Sequence, residues 1–139
     1  MGQLVWRAQR LFERAGDEAL SRAGLTRSQV VLLSLLQQAP GLSGSELARR
    51  AHLSVPGVAA SLVQMERRGW VRRRPHPVHL RLLEVFLTPE GSRRLARAQK
   101  ALRSVDGLAT RGMSARQRDA LKRALAQLVD GLARGAAGR

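Results

Sequence analysis

The segment from Ser43 to Gly69 constrains this chain most, because it sets two short helices only two residues apart. Ser43 with Glu46 forms a capping box, in which each side chain can satisfy the other residue's unpaired backbone N–H. It opens a helix running through Ala51, and His52-Leu53 makes a tight turn. Ser54 then caps a second helix with Pro56 in its first turn, where a missing N–H costs nothing. Val58, Leu62 and Met65 recur at helical spacing and form its inward stripe, and Gly69 ends it.

After Gly69 the period changes. Trp70-Val71 leads into Arg72–Arg74, Leu82–Leu87 is rich in branched and aromatic residues, and Pro75-His76-Pro77-Val78-His79 between them cannot be helical. Two short strands joined by an extended loop follow from this pattern. The pair of helices alone is also what an unrelated helical hairpin in a small bundle would show. Charge separates the two cases. From Arg49 to Arg81 there are eight Arg and one acid, Glu66, a net +7 in a chain whose total is +15. From Met1 to Ala48 five Arg face Glu13, Asp17, Glu18 and Glu46, a net +1. Of the 25 cations 23 are Arg, as GC-rich coding would give, but such a bias explains the total and not the clustering. A helix-turn-helix followed by a basic hairpin wing is built for a polyanion. Helix N-termini and Ser hydroxyls take phosphates, the second helix enters a major groove, and Arg on the hairpin follows the backbone.

The rest of the chain frames that lobe. Leu4, Ala8, Leu11, Phe12, Ala15, Ala19 and Leu20 make residues 3–22 an amphipathic helix ending near Gly24. Thr26 and Gln29 form another capping box, opening a buried helix from Arg27 to Gln38 that Pro40-Gly41 stops. Thr88 caps a fifth helix with Pro89 at its first position and Leu95, Leu102 and Val105 on its apolar side. Ser114 with Gln117 opens a last helix carrying Leu121, Leu125, Leu128 and Leu132. The expectation is one mainly α domain over 1–139: a six-helix winged helix-turn-helix with a small two-stranded β-wing. Residues 25–88 form the nucleic-acid-binding lobe, 1–24 and 89–134 the flanking helices, and 135–139 a frayed tail.

The chain has no Cys, which excludes disulfides and thiolate chemistry, and no apolar run long enough to span a bilayer. Without the apolar core of a signal peptide it reads as cytoplasmic. No nucleophile–base pair, phosphate loop or paired carboxylates appears, so the expectation is not an enzyme and no cofactor. His52, His76 and His79, with no Cys or nearby acid, make a poor ligand set, and no metal site is expected.

Several strings then resemble the MarR family of bacterial regulators: Leu25-Thr26…Gln29, Ser43…Glu46-Leu47-Ala48, Ser54…Val58, Glu66-Arg67-Arg68-Gly69-Trp70-Val71-Arg72-Arg73 and Leu87-Thr88-Pro89-Glu90-Gly91. The similarity covers residues 3 to about 133, with its specific part from Leu42 to Gly91. It implies a transcriptional regulator, as a repressor, whose homodimer is held by the first and last helices. Each protomer would meet half of a pseudo-palindromic operator in double-stranded DNA. It also implies a small-molecule effector between the dimer helices and the DNA-binding lobe. The candidate DNA-binding residues are Ser43, Ser54, Gly57, Ala59, Ala60, Ser61, Gln64, Arg68, Arg74, His79 and Arg81, of which Gly57, Ala59, Ala60, His79 and Arg81 stand at positions the resemblance marks. Trp6 and Phe12 are expected in core or dimer packing. Trp6 with Arg10, one turn apart, is the candidate clamp for an effector that is an aromatic anion.

Two positions depart from the family pattern. Thr and Arg usual on the recognition helix are replaced by Gly57, Ala59 and Ala60, which offer no side-chain hydrogen bonds to base edges. In the wing, the usual Asp-x-Arg is His79 and Arg81, so the acid that would aim the Arg is missing. The different-class alternative is therefore an architectural or RNA-associated basic protein without a defined operator. A third, an interaction protein that has lost DNA binding, sits badly with the retained Arg of residues 67–81.

Overall fold

A computed structural model of the chain describes residues 1–137. The order is α1 (Gly2–Arg22), α2 (Arg27–Gln38), β1 (Leu42–Ser43), α3 (Gly44–Ala51), α4 (Val55–Arg67), β2 (Val71–Pro75), β3 (Leu83–Leu87), α5 (Pro89–Ala109) and α6 (Ala115–Ala137). The local signals account for most boundaries. Thr26 Oγ1 accepts from the Gln29 N–H at 3.2 Å while Gln29 Oε1 accepts from the Thr26 N–H at 3.0 Å. The same reciprocal bonds join Ser43 and Glu46. His52 closes α3 in the left-handed conformation, φ 54°, and this lets two helices meet across three residues, His52 to Ser54.

The wing is part of a three-stranded antiparallel sheet in the order β1-β3-β2, not a two-stranded ribbon. The additional strand is Leu42–Ser43, pairing Leu42 with Val85 and Ser43 with Glu84. Two residues carry no readable periodicity, and only the partner strand makes them β.

Contacts divide the chain into two compact units, Met1–Val105 and Asp106–Arg139. The core of the first unit is made by Leu32, Leu33 and Leu36 of α2, Leu47 of α3, Val58, Leu62 and Met65 of α4, Trp70 just before β2, and Val71 and Val85 of the sheet. Leu20 of α1 and Leu95 and Ala98 of α5 join it, so this core reaches beyond residues 25–88 at both ends. Gly91 shows how closely α5 starts against the sheet: a Cβ there would stand 2.0 Å from the Trp70 carbonyl oxygen. Thr88 Oγ1 accepts from the Gly91 N–H at 3.0 Å, and its single hydroxyl proton faces the carbonyls of Gly69 at 2.5 Å and Trp70 at 3.0 Å, fixing that approach.

The flanking helices behave differently. Leu4, Trp6, Leu11 and Phe12 of α1 are exposed in the single chain, so Trp6 and Phe12 are not core residues. In the second unit Leu121, Leu125 and Leu132 are exposed and Leu128 is half-buried. Of the expected tail, Gly135 to Ala137 continue α6, as their good helix-forming Ala content allows, and Gly138 and Arg139 lie outside the described residues.

Candidate nucleic-acid interface

Helix α4 is anchored on one side and bare on the other. Val58, Leu62 and Met65 are at most 3% exposed, whereas Val55, Pro56, Gly57, Ala59, Ala60, Val63 and Gln64 all face outward. The Ser54 hydroxyl accepts from the Gly57 N–H at 3.2 Å, and a Cβ at position 57 would come within 2.8 Å of it. Glycine therefore keeps the cap closed. Ser61 is half-buried, and between the cap and Gln64 the outward face carries no fully exposed polar side chain. A surface this smooth can approach a groove floor and touch thymine methyls, but it cannot make bidentate base contacts.

The charge sits on the sheet. Arg73 is spent internally: its Nε donates to Glu66 Oε2 at 2.9 Å, with a second N–H to the same oxygen, lashing β2 to the end of α4. That hydrogen bond holds the Glu66 carboxyl below the usual range against the burial that would raise it, and raises Arg73 in turn. Arg74 is half-committed, with its guanidinium 4.1 Å from the Phe86 ring centroid and its Nε 3.5 Å from Glu84 Oε2. That oxygen is buried and accepts no hydrogen bond, so the attraction is charge without directed bonding. Arg72 lies 5.8 Å over the same ring. Arg81 is exposed and has no carboxylate partner among the described residues. It is the wing's freest cation.

The wing tip is ordered by a histidine. His76 Nδ1 accepts from the N–H groups of Val78 and His79, each at 3.1 Å, and its own N–H donates to the Leu82 carbonyl at 2.8 Å. The His76 and His79 rings stack with centroids 5.3 Å apart. The loop is folded on itself, and Arg81 is presented from it. Among the described residues no cluster of His, Cys, Asp or Glu is arranged to hold a metal.

The fold brings Ser54, Gly57, Ala59, Ala60 and Ser61 onto one helix and His79 and Arg81 onto the neighbouring wing. Ser43 lies apart from the exposed face of α4: it is 6% exposed in β1, with its N–H and hydroxyl both directed at Glu46. The Glu46 carboxyl is held below the usual range mainly by that Ser43 N–H. Gln64 and Arg68 lie apart from the tip of the helix, lining a cavity with the start of α2. Arg68 stacks over Trp70 at 5.0 Å. On α1, Arg10 lies 4.9 Å over the Trp6 ring, so the two side chains cover each other instead of leaving a slot between them. Sequence reasoning missed Ser45, which lines a second cavity with Ala59 and Arg81 between α3, α4 and the wing. Its only signal was its place one residue inside a capping box.

A MarR family model matches residues 23–82. The HTH-type transcriptional repressor Rv2887 of Mycobacterium tuberculosis is 33% identical over 128 residues, covering 92% of each chain. Its structure, solved in complex with DNA, superposes with a TM-score of 0.78 at 31% identity, over 92% of this chain and 96% of that one. Wild-type MarR of E. coli in its apo form gives 0.81 at 22% identity, over 92% and 95%. With a relative this similar along nearly its whole length, the chain belongs to the MarR family.

Proposed function

We propose that the protein is a DNA-binding transcriptional regulator, a repressor that acts as a homodimer on a pseudo-palindromic operator. The observation that carries this is the pairing of a rigidly seated, outward-facing α4 with a wing that presents Arg81, Arg72 and Arg74 beside it. A helix so placed fits a major groove while the wing follows phosphates. The relative solved with DNA supports duplex as the partner. Homodimerisation is supported by the apolar faces that α1 and α6 leave exposed in the single chain. Residues 1–24 and 89–134 supply these dimer helices. Among the described residues no helix is long and apolar enough to cross a membrane, and the proposed place of action is the cytoplasm. An aromatic anion acting as effector on α1 would have to displace Arg10 from Trp6.

The bare face of α4 favours one second possibility, an architectural protein that binds duplex by charge and shape. Selection of genomic fragments with the purified protein, followed by competition against random duplex and structured RNA, tests both. A repressor yields a recurrent symmetric fragment that random duplex displaces poorly. An architectural protein yields none.

A further inference from the structure

We propose that the cavity at the start of α2 is an oxyanion site that takes one backbone phosphate of a bound duplex. It measures about 530 Å³, ample for a phosphate, and lies between the end of α1, the first turn of α2 and the last turns of α4. The 12-residue α2 has no acidic residue in its first turn, so the positive end of its dipole is not neutralised. The capping box occupies the N–H groups of Thr26 and Gln29, and those of Arg27 and Ser28 have no acceptor among the described residues.

Gln29 is the second and independent observation. It is 4% exposed, and the Thr26 N–H fixes its Oε1 as the acceptor. Its Nε2 donor is left without a partner among the described residues, on a side chain that lines the cavity. Arg68 supplies the charge. One guanidinium N–H reaches the Gly24 carbonyl at 3.4 Å, the plane rests on Trp70, and the remaining donors are free. Asp17 also lines the cavity, but Arg27 pairs with it at 3.0 Å and so neutralises it in place. Gln64 links the cavity to the DNA-facing side. It sits one turn beyond Ala60 on the same outward face, so a duplex laid along α4 brings its backbone over this opening.

The chemistry is that of a phosphate oxyanion, and a free phosphate shares it. The proposal rests on duplex binding by this protein. Its test uses the full-length chain with a Gln29→Glu substitution. Glu is the other residue that closes a capping box and is favourable in a first turn, so the fold is kept while a donor becomes a carboxylate. At about 100 mM salt the variant should bind random duplex roughly tenfold more weakly, with a salt slope shallower by about one per protomer. Its Tm should be no lower than wild type. Arg68→Gln should lower duplex affinity in the same direction, and covers the case in which Gln29→Glu does not fold. In a parallel arm without DNA, inorganic phosphate is compared with chloride at equal ionic strength. A phosphate-specific rise in Tm that Gln29→Glu abolishes, with duplex affinity unchanged, keeps the oxyanion site but makes a free anion its occupant and overturns the duplex contact. If both variants bind duplex as wild type does and phosphate raises no Tm, the site is overturned. A wild-type chain that binds no duplex overturns the proposed function instead, whatever the phosphate arm shows.

Discussion

Helix α4 and the wing lie side by side and divide the properties of a binding surface between them. The helix is held by Val58, Leu62 and Met65 in the middle of the core, and its outward face is chemically plain. The wing is held by Val71 and Val85 at its base, by the Glu66–Arg73 ion pair and by the backbone bonds of His76, yet it carries the cations. Both elements are anchored, but the exposed cations beside the groove-facing surface are concentrated on the wing. Shape is therefore supplied by the helix and attraction by the wing, and the two can be disabled separately.

The largest effect is expected from the helix side. Leu62→Ala removes a side chain that is 3% exposed and should cost about 2–5 kcal/mol of stability, measured by denaturant unfolding. A cost below about 1 kcal/mol would show that α4 is not anchored through this stripe. Replacing Arg72, Arg74 and Arg81 together by Gln should leave unfolding almost unchanged while weakening random duplex by on the order of 10²-fold. If the triple change instead lowers Tm by many degrees, these arginines hold the wing together, and charge and rigidity are not divided.

Within the wing the arginines should be unequal. Arg81→Ala should weaken duplex several-fold, because Arg81 has no internal partner to leave behind. Arg74→Ala should do less, since Arg74 already spends part of its charge on Glu84 and Phe86. Equal losses in a fluorescence anisotropy titration would mean that DNA releases Arg74 from those partners. A smaller effect concerns the strut between the two elements. The Glu66 carboxyl is held below its ordinary value of 4.5 by Arg73, so its contribution is complete above that value and is lost as pH falls through the lowered one. Glu66→Gln should cost no more than about 1 kcal/mol at neutral pH, the pair being part-exposed, and should flatten the fall of Tm below pH 4.5. An acid limb as steep as that of wild type would assign it to other carboxylates.

Much of this division could be read from the sequence, and the failures share a cause. Side-chain caps act over three residues, so Thr26, Ser43 and Ser54 set the starts of α2, α3 and α4 without any tertiary information. The stripe Val58, Leu62, Met65 was legible because one helix face meets one core. Strand β1 was not, because two residues become a strand only beside β3, far along the chain. The burial of Ser43 was hidden for the same reason: a Ser at a helix start is ordinarily exposed, and only the sheet buries it. The periodicity of α1 was plain, but a period names a face and not its partner, and Trp6 and Phe12 are exposed. Gln29 was legible as a cap. That Gln29 lines a cavity together with Arg68 depends on three helices meeting.

The division is tested most directly by measuring wild-type affinity for random duplex and for a selected genomic fragment between about 50 and 200 mM salt. A wing that supplies attraction to roughly 6–10 phosphates per dimer predicts a fall of about 10³–10⁵ over that range for both duplexes. A plain α4 predicts a ratio between them near the low end for specific binders, about 10³. A shallow salt dependence, or a ratio several decades higher, would contradict it, because base-reading contacts would then have to exist on a helix face that carries no exposed polar side chain between its cap and Gln64.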